Sequence, residues 1–225
     1  MKTISKISLL AAIMLLSLTT FAQQKHDLKG VKSIQLNLAC QLVMVQGNNP
    51  NMEIVGDKDA IDDVEIKRTE GKIVLTSERK RQEKEDVVVK IEVDDLDFLG
   101  IGGVVDMKTV RTLVFDSFEL SVSGVGNIEL QLEVEHLELE CSGVADVELK
   151  GKATKAEMEI SGVGKMDALE FVVKSAEVSN SGIGRVYVNV TENLEAEVSG
   201  LGSIKYQGNP RLDADVSGLG KISEY

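Results

Sequence analysis

From residue 118 onward, apolar and polar residues alternate with period two in short runs that each end on a Ser-Gly pair. The five residues before the pair read FELSV, LELEC, AEMEI, AEVSN, LEAEV and LDADV, and those after its serine read GVGNI, GVADV, GVGKM, GIGRV, GLGSI and GLGKI. Such alternation is the mark of a strand with one apolar face. The serines fall at 123, 142, 161, 181, 199 and 217, spaced 19, 19, 20, 18 and 18, and a weaker copy, GGVVDM, stands at 102–107. A strand-rich period near 20 predicts a solenoid, because one coil cannot bury its apolar face alone and a stack can.

The pattern therefore predicts an all-β, single-stranded parallel β-helix. The right-handed form is favoured by the handedness of parallel crossovers. A left-handed hexapeptide helix would need a six-residue sub-period, and a two-sheet sandwich would not need near-identical corners. Gly124, Gly143, Gly162, Gly182, Gly200 and Gly218 form the structural corner, by positive φ or by close approach to the next coil. Val125, Val144, Val163, Ile183, Leu201 and Leu219 are expected to point inward as a core ladder, with Ile128 and its equivalents. Before residue 100 the runs IQLNL, LVMVQG, MEIVG, VEIKR, KIVLTS and VVVKIEV read as strands, TEGK (69–72) as a hairpin turn and 77–86 as a solvated charged loop. The expected organisation is a single domain over 23–225, with irregular first coils and a cap over 23–100 and regular coils over 101–225.

Residues 1–22 read as a signal peptide: Lys2 and Lys6 precede an apolar stretch, and Thr20 and Ala22 suit cleavage before Gln23. The product is then expected to be exported, whether periplasmic, cell-surface or extracellular, with no membrane insertion after cleavage. The chain carries −12, and losing Lys2 and Lys6 leaves −14, a balance that disfavours nucleic acid and anionic membranes as partners. Cys141 occupies the place that other coils give to Val122, Ile160, Val198 and Val216, so it reads as a small buried hydrophobe rather than half of a bridge to Cys40.

With these features the chain resembles the putative auto-transporter adhesin, head GIN domain family of exported bacterial proteins. The resemblance rests on the leader, the LVMVQGNNPNMEIVGD opening (42–57), the serial SGVGN-type corners, and YQGNP (206–210) followed by a last SGLGKI. It covers essentially all of the chain beyond the leader. It implies a pectin-lyase-like right-handed β-helix and a role in adhesion, with no catalytic residues to carry over.

Candidate chemistry is sparse. The chain has two histidines, His26 and His136, each read as a surface residue, and it lacks metalloprotease, phosphate-loop and nucleophile-elbow motifs. Six equivalent serines without a base beside them are turn residues. The one constellation is acidic: Glu119, Glu138, Glu157, Glu177, Glu195 and Asp213 stand four residues before each Ser-Gly serine, and Ser121, Glu140, Glu159, Ser179, Glu197 and Asp215 stand two before. Stacked strands turn these into two columns, read as a solvated face, with Glu138, Glu157, Glu140 and Glu159 the candidate cation strip. Lys165, Arg185 and Lys221, interrupted by Ser203, make a smaller basic column, and Tyr187 and Tyr206 a tyrosine pair on neighbouring coils. No cofactor is expected. The reading is a non-catalytic adhesion or binding module for a protein or glycan surface ligand. The alternatives are an envelope structural protein and, less favoured, a polysaccharide-active β-helix enzyme, for which a chain without Trp offers few stacking platforms.

Overall fold

A computed structural model describes residues 21–77 and 87–225. The leader up to residue 20 and nearly all of the charged loop at 77–86 lie outside the described residues. The first strands are β1 (Phe21–Asp27), β2 (Ser33–Asn37), β3 (Ala39–Gln46) and β4 (Asn51–Asp57). A single helical turn, α1 (Lys58–Asp62), follows, begun by the Asp57 side chain accepting the Asp59 N–H. Then come β5 (Val64–Thr69), β6 (Lys72–Ser77), β7 (Val87–Val93), β8 (Phe98–Ile101) and β9 (Val104–Thr109). The regular coils are β10 (Leu113–Val122), β11 (Val125–Cys141), β12 (Val144–Ile160), β13 (Val163–Asn180) and β14 (Ile183–Val198). The next coil is split into β15 (Ser203–Gln207) and β16 (Arg211–Val216), and β17 (Lys221–Glu224) stacks on β15 as the start of another.

All seventeen strands of the described residues join one sheet that winds as a parallel β-solenoid of about seven turns. From β8 onward each coil pairs in parallel with the next, with like on like: Val125 opposite Val144, Ile128 opposite Val147, Leu139 opposite Met158. The start is not stacked in chain order. The coil β2–β3 lies between β8–β9 on one side and β6–β7 on the other, all parallel. Beyond β6–β7 the pairing turns antiparallel, with β5 on β6, β4 on β7 and β1 on β4. TEGK makes the β5–β6 hairpin, with Gly71 at φ +70. These antiparallel strands cover the solenoid's first edge, as an edge left open would invite pairing with another chain.

Each coil turns at the Ser-Gly phrase and again near the positions of Glu135–His136. At the Ser-Gly corner, period-two alternation runs straight through: Val122 is buried, Ser123 exposed, Gly124 buried and Val125 exposed. The expected core ladder is therefore on the outside. Val125, Val144, Val163, Ile183, Leu201 and Leu219 are 47%, 52%, 48%, 57%, 60% and 88% exposed. The alternation changes phase at the second corner instead, where Glu135 and His136 are both exposed and the pairing passes over Glu135 and Thr154. The buried residue after the Ser-Gly corner is Ile128, with Val147, Met166, Val186 and Ile204 in the same column.

The glycines at the first corner are required by close approach, not by positive φ. A Cβ on Gly162 would stand 2.0 Å from the Gly143 carbonyl oxygen, and one on Gly143 2.0 Å from that of Gly124. That approach is set by the hydrogen bonds: Ser161 and Gly162 both donate to the Cys141 carbonyl, at 3.0 and 3.1 Å, and Val163 donates to Gly143 at 3.0 Å. The drift of the period has a local cause too. Ala168 pairs with Val188 and Val172 with Asn189, so residues 169–171 have no counterpart in the following coil, and the loop buries Phe171.

Both cysteines are buried and free, in different columns of the core. Burial pushes the Cys40 thiol up to about 12 and raises that of Cys141 as well. Asn180, fully buried where other coils carry Val, Ile or Cys, holds its corner instead: its Oδ1 accepts from Gly182 N at 3.2 Å and its Nδ2 donates to the Gly184 carbonyl at 3.3 Å.

Candidate functional site

The side of the solenoid between the second corner and the Ser-Gly corner carries a groove of about 420 Å³ that crosses five coils. One wall is the acidic column: Glu138 faces Glu157, Glu157 faces Glu177 and Glu177 faces Glu195 in register. The other is mixed, with Ser117, His136, Lys155, Ser175 and Asn193 on successive coils. Between them runs a floor of buried Leu137, Ala156, Ala176 and Leu194. Alternation explains all three: two outward residues flank each inward one. Alanine in the two middle coils sinks the floor between walls of longer side chains.

The groove combines an electrostatic cost with hydrogen-bonding capacity. The Glu119 carboxyl is held above the usual carboxylate range, by partial burial first and then by Glu138 and Glu140. Ser121 Oγ donates to Glu140 at 3.4 Å, and Asn193 Nδ2 donates to Ser175 Oγ at 3.1 Å. The groove thus offers carboxylate acceptors on one side and hydroxyl, amide, imidazole and ammonium groups on the other.

Of the residues singled out from sequence, the structure aligns Glu138 with Glu157 and Glu140 with Glu159, as parallel columns rather than a converging shell. Among the described residues, no group of three or more His, Cys, Asp or Glu side chains is placed to hold a metal ion. Tyr187 and Tyr206 are not a pair. Tyr206 is opposite Val188 and packs partly against the core, whereas Tyr187 meets Tyr225 edge-on at 5.8 Å. The sequence marks His136 only as a surface residue and gives Ser117, Lys155, Ser175 and Asn193 no motif of their own. They stand six residues before each Ser-Gly serine and align in register, but the residue type changes from coil to coil and leaves no repeated signature.

A model of the family described as putative auto-transporter adhesin, head GIN domain, matches residues 31–210. No curated protein matches the chain. Among solved structures, a putative adhesin from Bacteroides fragilis is similar at 23% identity and a TM-score of 0.84, over 91% of this chain and 97% of that one. A putative adhesin from Parabacteroides merdae is similar at 18% identity and a TM-score of 0.66, over 91% and 96%. A structure named as a putative lipid binding protein from Parabacteroides distasonis is similar at 17% identity and a TM-score of 0.67, over 91% and 96%. These likenesses establish the fold.

Proposed function

The chain belongs to the putative auto-transporter adhesin, head GIN domain family, and from that premise we propose that it is a non-catalytic, exported binding module of the bacterial envelope. Among the described residues no helix is long and apolar enough to cross a membrane. The observation that carries the reading is the groove over five coils, in which near-equivalent residues recur at each step. An enzyme needs one nucleophile or acid–base pair set apart from its neighbours. A surface that repeats every coil, at about 4.8 Å, suits a ligand that itself repeats. Carboxylates, an amide and serine hydroxyls facing each other are the chemistry that recognises vicinal hydroxyl groups, so the partner class is a polyhydroxylated surface glycan.

The test is to measure binding of the purified protein to neutral, anionic and cationic bacterial polysaccharides. Retention on neutral glycans, weakened at least tenfold by Glu157→Gln with Glu177→Gln, is expected. Release of shortened or unsaturated oligosaccharides would overturn the non-catalytic reading. Binding unaffected by the two substitutions would move the contact elsewhere.

A further inference from the structure

Across the Ser-Gly corner from the groove lies a second face, built on the aliphatic ladder that the corner turns outward. With Val104 at 43% exposed, seven aliphatic side chains stand in a row along the stack. A monomer rarely leaves so continuous an apolar stripe in water. At the ladder's last four rungs, Val163, Ile183, Leu201 and Leu219 line a shallow groove of about 610 Å³ with the basic column.

The charged column beside the ladder changes sign along the stack. In coil order it reads Asp106, Asn127, Asp146, Lys165, Arg185, Ser203 and Lys221. The order is antisymmetric about Lys165, since each residue before it has a complement at the same distance after it. The next outward column adds one complementary pair, Glu129 two coils before Asp167 and Lys205 two coils after, while Glu148 is matched by Tyr187 and Lys108 by Ser223. At the centre, Lys165 Nζ lies 2.7 Å from Asp167 Oδ2. Among the described residues Arg185 and Lys221 have no ion-pair partner.

We propose that this face is the interface of a homodimer. A twofold axis in the plane of the face, running along the strand direction through the Val163 coil, reverses coil order but keeps each column opposite its own copy. The ladder then packs on the ladder. Asp146 meets Arg185 of the second copy, Asp106 meets Lys221, Glu129 meets Lys205 and Asn127 meets Ser203, each contact occurring twice. This is the isologous arrangement of most homodimers. Six coil steps of about 4.8 Å by six strand residues of about 3.3 Å give roughly 29 by 20 Å, so about 1,200 Å² for two copies, at the lower bound for a specific interface. A reversible dimer follows.

Sedimentation of the purified protein over about 1–300 μM, a span that brackets micromolar affinity, is expected to show a monomer–dimer equilibrium. Arg185→Glu weakens it at least tenfold, Asp146→Lys does likewise, and the two together restore it, because the twofold brings these positions face to face. Where Asp146→Lys impairs folding through loss of its hydrogen bond from Lys165 N, Arg185→Glu with Lys221→Glu carries the test. Independently, Val163→Cys is expected to join to itself through a short bismaleimide, with the two native cysteines buried and inert. Val114→Cys, exposed on another face, is not. A monomer throughout the range, or equal cross-linking at 163 and 114, overturns the proposal. So does a protein that stays monomeric while an anionic amphiphile such as dodecyl phosphate fills the face. Glycan binding at the groove neither supports nor refutes it.

Discussion

At the scale of single residues, the Ser-Gly-aliphatic-Gly phrase divides into parts with opposite sensitivities. The first glycine has no freedom, because its missing Cβ is where the neighbouring coil's carbonyl stands. Gly162→Ala therefore forces two coils apart against the hydrogen bonds to Cys141, and overpacking of this kind costs about 1–3 kcal/mol or more. The aliphatic residue that follows is half in water, and a β-branched replacement of similar shape keeps its strand conformation. Val125→Thr is expected to stay within about 0.5 kcal/mol of wild type. Urea unfolding of the two variants side by side decides it. Equal midpoints would mean that the corner tolerates a side chain, and a large loss from Val125→Thr would return that ladder to the interior.

At the scale of strands and coils, much was legible and one assignment was not. The fold class follows from the alternation of Phe118–Val122 and its copies, because period two and a recurring glycine leave few other solutions, and the TEGK hairpin follows from its own turn residues. The facing of the aliphatic ladder did not follow. A glycine pair looks like a place where alternation restarts, yet the corner at Gly124 is made without shifting phase, and the true shift occurs at Glu135–His136, among ordinary polar residues. The groove was half legible for another reason: its acidic wall repeats one residue type four before each serine, whereas its other wall, six before, changes type from coil to coil. That acidic wall makes its own prediction. The raised Glu119 pKa means that the folded state binds more protons than the unfolded chain as pH falls towards the carboxylate range. The associated stability is present below the unfolded pKa and lost as pH rises through the folded one. At neutral pH the ionised Glu119 therefore opposes folding, through its partial burial first and its neighbours Glu138 and Glu140 next. Glu138→Gln removes one repelling neighbour and is expected to raise the melting temperature slightly at low salt, with the gain shrinking in high salt as screening removes the repulsion. A lower melting temperature at low salt would show that Glu138 is held by attraction instead.

At the scale of the whole molecule, a strongly acidic chain winds its carboxylates into columns on one side and a sign-changing column on another. The two arrangements favour different partners. An array of carboxylates at strand-repeat spacing sets up a field over its face without a shell around any point, and a tight calcium site needs about 6–8 converging oxygens. Backbone carbonyls cannot complete one here, because those of the coils are engaged in the ladder of the sheet. Calorimetric titration of the purified protein with Ca²⁺ at physiological salt is accordingly expected to give no saturable binding tighter than about 10 μM, the affinity range of dedicated sensor loops. Weak, salt-sensitive accumulation of cations along the acidic face accounts for any heat seen at millimolar concentration. Saturable tight binding that disappears on Glu138→Gln with Glu157→Gln would sink this account. It would make the groove a cation-bridged contact, in which the ion rather than the hydroxyl-binding wall selects the ligand.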